Sequence, residues 1–347
     1  MKLMKTTEAV GQVLCHDITQ IIPGVKKDAV FRKGHIITKE DIPVLLSVGK
    51  DTIYIWENDE TMMHENEAAQ VLYSMCACGT ASKMHPSSVK EGKIEVIADC
   101  DGLLKVDSEK LKKVNSFGEM MIATRHGNTT VKKGDKLAGT RIIPLVIKKD
   151  KLEAASHICD DGPILDIKPF VIRNAAIITT GNEVYHGRIQ DAFTPVIEKK
   201  IAEFGAQMMF HEVFDDDDKK ITDGCLRAIE AGAEIVFCTG GMSVDPDDKT
   251  PLAIKNTGAR IVSYGSPVLP GAMFLLSYYD AGDRLVPICG LPGCAMYNKR
   301  TIFDIVLPRL MARDMILADE LAGLGEGGLC LNCDVCTFPN CGFGKGF

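Results

Sequence analysis

At 347 residues the chain is long enough for two or three domains, each with its own core. A net charge of −7 with no basic tract argues against a nucleic-acid partner. No apolar stretch reaches the length of a membrane span, and Met1-Lys2-Leu3-Met4-Lys5-Thr6 lacks the apolar centre of a signal peptide, so a cytoplasmic protein without membrane contact is expected.

Residues 1–57 read as a small α+β segment: alternating runs at 11–18 and 29–37, helical spacing at 39–48, and a strand at 52–56. Residues 58–170 read as a helix followed by a β-rich barrel or sandwich. Met62, Met63, Ala69, Leu72 and Met75 fall near a helical period over 61–78, which also carries Cys76 and Cys78. Short runs at 93–98, 118–124, 131–135 and 141–147, parted by Gly and Asp turns, predict strands. Asp160-Asp161-Gly162-Pro163 marks a linker.

Residues 171–322 alternate strand and helix. Strands are predicted at 175–181, 207–213, 234–238, 260–262, 272–276 and 285–288, and helices at 195–204, 221–231, 251–257 and 295–311, with Thr194 as N-cap and Pro195 at the first helical position. The pattern is that of an α/β fold, a mostly parallel sheet covered on both faces in three layers, preceded by the smaller β-rich region.

In such sheets ligands bind beyond the carboxyl ends of the strands. Those ends carry Thr180-Gly181-Asn182-Glu183, the acidic run from Asp215 to Asp218, and a loop with Gly240, Gly241, Ser243, Asp245, Asp247 and Asp248. A further turn, Gly290-Leu291-Pro292-Gly293, opens the last helix. Glycines let an anion approach backbone N–H groups, and carboxylates beside such a nest make electrostatic sense when a divalent cation lies between them and the ligand. Mg²⁺ with a phosphorylated ligand is the expected pair.

Taken together and in order, these motifs resemble those of the MoaB/Mog-type molybdopterin-binding domain, most closely the molybdopterin molybdenumtransferases of the MoeA and gephyrin type. The shared stations are Thr180 to Glu183, Gly187-Arg188-Ile189-Gln190-Asp191, two of the aspartates 215–218, Gly240 to Asp248, Pro270-Gly271-Ala272-Met273 and Gly290 to Gly293. At the N-terminus, Glu8 to Ile18, Phe31 to Ile37 and Asp41 to Gly49 are similar to the opening of that family, whereas residues 58–170 have no counterpart there.

The resemblance implies binding of molybdopterin or its nucleotide adduct, with Mg²⁺-dependent cleavage of the adduct as molybdate enters. It implies roles for Glu183, one aspartate of the run and Asp248 at the metal or the reacting water. Counting back from Gly240 selects Asp217 and Asp218, counting forward from Val213 selects Asp215 and Asp216, and the downstream anchor is preferred because it also aligns Leu226, Glu234 and Val236. Thr180, Gly181, Asn182, Gly240, Gly241, Ser243, Asp245, Pro270, Gly271, Gly290, Pro292 and Gly293 would hold the pterin. A homodimer and a molybdoenzyme client are the implied partners.

Three departures bear on the reaction: Asn182 stands for an aspartate, Asp245 for a glycine, and Ala272 for the lysine of Pro-Gly-Lys-Pro. Molybdate and pyrophosphate need positive charge, for which Lys249, Lys299 and Arg300 are the candidates. A non-catalytic carrier or sensor of the cofactor is the first alternative. A nucleotide pyrophosphatase of the competence-damage-inducible type is the second, since Asp247-Asp248-Lys249-Thr250 matches the Asp-Asp-x-Thr that ends its glycine loop.

The residues from 323 onward read as a flexible Gly linker and a cysteine-rich tail. Cys330, Cys333, Cys336 and Cys341 have the spacing of thiolate ligands, for an iron–sulfur cluster or for Zn²⁺.

Overall fold

The computed structural model describes residues 2–22, 26–55, 59–79 and 83–346. Trp56, at the end of a predicted strand, lies outside them. The chain divides into two compact units: Met1–Asp99 with Val106–Arg125 and Lys133–Asp166, and Cys100–Lys105 with His126–Lys132 and Ile167–Phe347.

The first unit holds the hairpin Ile18–Ile22 with Lys26–Phe31 and the pair Lys2–Lys5 with Thr52–Ile55. Its largest sheet is antiparallel, in the order Met84–Pro86, Ile94–Ala98, Lys136–Ile142, Met120–Thr124. That sheet stays open, where the strand spacing suggested a barrel or sandwich. Helix Glu65–Ala77 packs on it with Ala68, Ala69, Leu72, Met75 and Cys76 fully buried, so a helix covers the face that a second sheet would. The helix starts later than its Met-rich spacing predicts, because Met62–His64 pairs as a strand with Val146–Lys148. Helices Ser108–Ser116 and Lys149–Ser156 were not evident from the sequence.

The second unit is built on a six-stranded mixed sheet. Its strands are β1 (Asn174–Thr180), β2 (Gln207–Phe214), β3 (Ile235–Thr239), β4 (Arg260–Tyr264), β5 (Leu275–Asp280) and β6 (Leu285–Leu291), in spatial order β2-β1-β3-β6-β5-β4. β2, β1, β3 and β6 run parallel, while β5 and β4 are antiparallel additions. The helices are α1 (Thr194–Ala202), α2 (Asp218–Glu230), α3 (Thr250–Asn256), α4 (Ile302–Met311) and α5 (Ala318–Gly323).

Side chains alternate across a strand, and here both sets are apolar. Ile177, Phe237, Leu276 and Leu291 pack with α1, α4 and α5 on one face; Ile178, Val236, Leu275 and Ile288 pack with α2 and α3 on the other. The predicted helix 295–311 is broken. Gly293–Met296 forms a short 3₁₀ turn, and α4 starts only at Ile302, where Thr301 and Asp304 make a reciprocal capping box. The strand placed at 272–276 begins at Leu275, because Gly271 to Phe274 form a turn closed by Phe274 N–H on the Gly271 carbonyl.

The glycine-rich stretch read as a flexible linker is packed. Gly323 ends α5, Leu269 N–H donates to the Gly328 carbonyl, and Cys330 N–H returns to the Leu269 carbonyl. Beyond it Phe343 is buried in the core with α4, and Cys330, Phe338 and Cys341 lie against that core.

Candidate functional site

Because β2, β1, β3 and β6 are parallel neighbours, their carboxyl ends share one edge of the sheet. That edge gathers the start of Thr180-Gly181-Asn182-Glu183, the aspartates 215–218, the Gly240 loop and Pro292-Gly293. The strand ends are cross-linked by threonines. Thr180 Oγ1 donates to the Thr239 carbonyl at 3.1 Å and meets Thr250 Oγ1 at 3.1 Å, and Thr250 Oγ1 donates to the Gly240 carbonyl at 2.9 Å. All three threonines are buried, so the first turn of the loop has little freedom. Gly240 is required there: at φ +81° a Cβ would sit 2.1 Å from the Thr180 carbonyl oxygen. Tyr264 also holds the first turn, its hydroxyl donating to the Met242 carbonyl at 3.0 Å, and the far end is held by Thr250 N–H on the Gly241 carbonyl at 3.2 Å.

Between these anchors Ser243, Asp245 and Asp247 are exposed and Asp248 is half-buried. Asp248 N–H donates to the Asp245 carbonyl, and Asp248 Oδ2 accepts from Asp245 N–H at 3.3 Å. Across the edge, Asn182 N–H donates to Asp216 Oδ2 at 3.2 Å, which ties the Thr-Gly-Asn-Glu turn to the acidic run. Burial first, and then the like charges of Glu183, Asp247 and Asp248, push the Asp216 carboxyl above its ordinary range, with the Asn182 N–H opposing. Three carboxyl groups from two other loops therefore act on Asp216. Two buried oxygens on the same edge, Asp215 Oδ1 and Thr239 Oγ1, have no hydrogen-bond partner among the described residues.

The acidic run divides its labour in a way the sequence reading missed. Asp217 is the N-cap of α2, its Oδ1 accepting from the Lys219 and Lys220 N–H groups at 3.0 and 3.3 Å. Asp218 accepts from Asn256 Nδ2 at 3.1 Å, and Asp215 pairs with Lys220 at 2.7 Å. The residue whose carboxyl feels Glu183 and Asp248 is Asp216, one of the forward-counted pair. A signal was available: the apolar face of α2 places its N-cap at Asp217, and a capping carboxylate is already occupied.

Thr194 corrects a similar reading. It is the first residue of α1, not the cap, and Asp191 Oδ1 accepts from the Phe193 and Thr194 N–H groups at 2.8 and 3.1 Å. The other Asp191 oxygen accepts from Thr179 Oγ1 and Thr194 Oγ1. Asp191 thereby fixes the return of the chain from the Glu183 turn.

Pro270 and Gly271 lie on the loop before β5. The Pro270 carbonyl accepts from Ile302 N–H at 3.1 Å, and a Cβ on Gly271 would meet Ile302 Cγ2 at 2.4 Å, so this pair seats the start of α4. Gly290 backs the glycine loop from β6, beneath Met242. Pro292 and Gly293 open the 3₁₀ turn after β6, with nothing within 4 Å of a Cβ on Gly293.

The cations named as replacements for the absent lysine are all engaged. Lys249 Nζ donates to the Pro246 carbonyl, Lys299 Nζ to the Cys333 and Asp334 carbonyls at 3.4 and 3.1 Å, and Arg300 pairs with Asp304 at 2.9 Å. Among the described residues no three His, Cys, Asp or Glu side chains come together as a metal-holding group. Of the tail cysteines, Cys330 and Cys341 are half-buried, and Cys333 and Cys336 are exposed. No helix among the described residues is long and apolar enough to cross a membrane.

Comparison with known proteins adds the following. Residues 176–312 match the family described as "Probable molybdopterin binding domain", and residues 3–57 match a domain of unknown function (DUF8806). A competence-damage inducible protein of Geobacillus sp. (strain WCH70) is 34% identical over 89 residues, 26% of this chain and 20% of that protein. One from Bacillus cereus (strain B4264) is 32% identical over 130 residues, 38% of this chain and 31% of that protein. The chain thus spans about a fifth to a third of the length of these relatives. Among solved structures, the tungsten cofactor synthesizing protein MoaB from Pyrococcus furiosus is 18% identical, with a TM-score of 0.32 over 43% of this chain and 91% of that one.

Proposed function

With a molybdopterin-binding domain at residues 176–312 as the premise, we propose that the carboxyl edge of the six-stranded sheet binds molybdopterin or its nucleotide adduct through Mg²⁺, as a step of molybdenum cofactor biosynthesis. The observation that carries this reading is that Asp216, tied to the Thr-Gly-Asn-Glu turn through the Asn182 N–H, feels the negative charge of Glu183, Asp247 and Asp248 beside the Gly240 turn. Carboxylates held close together repel, and a divalent cation relieves the repulsion while presenting positive charge to a phosphate. The carboxylates of Asp216, Glu183 and Asp248 do not form a closed metal-holding group among the described residues, so an ion would draw them together; Asp216 has one oxygen on the Asn182 N–H, and Asp215 Oδ1 and Thr239 Oγ1 are buried without partners among the described residues. Asp216, Glu183 and Asp248 would hold Mg²⁺, which supplies charge neutralisation for the phosphate. Gly181, Asn182, Gly241, Ser243 and Asp245 form the backbone cradle, while Pro270, Gly271, Pro292 and Gly293 line its far side. Asp217 and Asp218, preferred on sequence, serve α2 instead.

Binding is better supported than molybdate insertion. Ala272 stands where the family has a lysine, and Lys249, Lys299 and Arg300 are engaged on neighbouring groups. The carrier reading follows from that lack of free positive charge. A pyrophosphatase reading draws on the competence-damage inducible relatives and on Asp247-Asp248-Lys249-Thr250, whose Thr250 is buried against Gly240. One assay separates the three. Full-length protein is mixed with adenylylated molybdopterin, Mg²⁺ and molybdate, and binding, adduct cleavage and metal insertion are followed together. Tight Mg²⁺-dependent binding with slow or no insertion is expected. Cleavage without molybdate supports the pyrophosphatase, and absence of Mg²⁺-dependent binding overturns the whole reading.

The tail belongs to the same proposal by its spacing alone. Cys330, Cys333, Cys336 and Cys341 would carry an iron–sulfur cluster or Zn²⁺, a group that neutralises thiolates placed so close in sequence. Their thiols do not converge among the described residues, and no step is assigned to that metal. Iron, sulfide and zinc analysis of anaerobically purified protein tests it. Four freely titrating thiols with no metal would be the contrary result. A homodimer and a molybdoenzyme client complete the proposal, to be checked by sedimentation and by cofactor transfer to an apo-molybdoenzyme.

A further inference from the structure

The first unit contains a cavity of about 930 Å³, entirely within that unit, lined mostly by polar and charged residues. It lies between the N-terminal hairpin, the start of helix Glu65–Ala77, the turn before strand Ile94–Ala98 and strand Lys136–Ile142. It has the upper range of volume of small-molecule sites.

Three of its polar groups are left unmatched. Arg141 spends only its Nε, on the Ile142 carbonyl at 3.0 Å, and among the described residues its guanidinium has no carboxylate partner. Glu65 interacts electrostatically with Arg141 but makes no ion pair with it or with any other described residue. Around Glu65 the positive charges of Arg141 and Lys33 alternate with the negative charges of Glu91 and Asp17, so both signs face the cavity. His16 Nδ1, on the same cavity, is buried without a hydrogen-bond partner among the described residues. The neighbouring His64 is by contrast fully used, its Nε2 on the Cys15 carbonyl at 2.9 Å and its Nδ1 accepting from Asn66 N–H at 3.2 Å.

An unmatched half-buried cation and an unmatched half-buried carboxylate within electrostatic reach, yet not in contact, leave a gap that a ligand with both charges would close. A simple anion would satisfy Arg141 and face Glu65, Glu91 and Asp17; a simple cation would satisfy Glu65 and face Arg141, Arg32 and Lys33. We propose that this cavity is a binding site for a zwitterion, a free amino acid or short peptide. Its carboxylate is taken by the Arg141 fork and its ammonium group by Glu65. This site is separate from the pterin reading of the second unit and does not depend on it.

The test is calorimetry on the full-length protein with the twenty free amino acids and with trialanine, the two sources being told apart by which binds. At least one zwitterion should bind, and its affinity should fall tenfold or more when its ends are blocked as N-acetyl and C-amide. Arg141→Met and Glu65→Gln should each weaken it by a similar factor, whereas Arg141→Lys should retain part of it. The thermal midpoint without ligand and the far-ultraviolet circular dichroism spectrum serve as controls for folding. If inorganic phosphate binds in an Arg141-dependent way while no zwitterion does, the cavity is an anion site and the proposal is overturned. Zwitterion binding unmoved by Arg141→Met in a folded protein overturns it equally.

Discussion

Asp216 and Asp217 are adjacent and chemically identical, yet they answer to different parts of the structure. Asp217→Ala removes a helix cap and should cost about 1 kcal/mol of stability with Mn²⁺ affinity nearly unchanged. Asp216→Ala removes a carboxylate repelled by three others; it should leave stability level or raised, and weaken Mn²⁺ binding more than tenfold. Calorimetry beside chemical unfolding tells them apart, and equal metal affinities in the two variants would count against the proposed cation site. Spacing within the run could not separate these residues in the sequence. Four aspartates in a row give a single signal, and only the apolar face of α2 fixes which of them caps. The glycine loop, by contrast, was legible, because paired glycines directly after an apolar β-branched run mark a strand that ends in a tight turn.

Asp314 is the other residue with a sharp expectation. Burial alone would raise its carboxyl, but Lys105, Lys168 and Arg309, at 2.8, 2.6 and 2.6 Å, overcome this and hold it at about 2. Since this folded value lies below the ordinary 3.8, the stabilisation is complete above that value and is lost as pH falls from 3.8 through about 2. Asp314→Asn should destabilise the second unit by about 2 kcal/mol at neutral pH, since it removes the shared carboxylate of Lys105, Lys168 and the buried Arg309, which keeps only the Glu320 carboxylate. It should also flatten the acid limb of the stability curve in that window. An unchanged acid limb would show that the cluster holds little of the folding energy.

Among the elements, the sheet strands of residues 171–312 followed from apolar runs ending in turns, and most were placed to within a few residues. Errors came where a distant partner decides the local structure. Met62–His64 is a strand only because Val146–Lys148 pairs with it, and nothing within 61–78 announces that partner. The tail is the same case on a larger scale, since glycines that read as a hinge are pinned by Leu269 and followed by a core phenylalanine. Phe343→Ala should therefore destabilise the second unit by about 3 kcal/mol in chemical unfolding, well beyond what loss of a loose tail residue would do. Gly240→Ala should cost more locally than globally: the strand-end threonines and the added Cβ compete for one space, so ligand binding should be lost at a modest drop in midpoint. Retained binding would mean that the turn has no part in the site.

For the whole molecule, the composition of the two units departs from the order of the chain. Residues 100–105 and 126–132 belong with 167–347, although the β-rich text around them belongs to the first unit. Lys105 of this early piece reaches Asp314, and Thr129–Val131 pairs with Gly102–Leu104 inside the second unit. A boundary drawn at residue 171 follows the change of pattern and cuts through a folding unit. Seen as an order of synthesis, the first unit has all its residues once position 166 has been made. The second has its opening strand by position 105, yet lacks a core side chain until Phe343 is added. Leu103 and Leu104 have their strand partners once positions 129–131 and 165–168 are made, whereas the apolar face that Phe343 covers stays open far longer, the stage at which a nascent chain is most exposed to misassembly and chaperone capture.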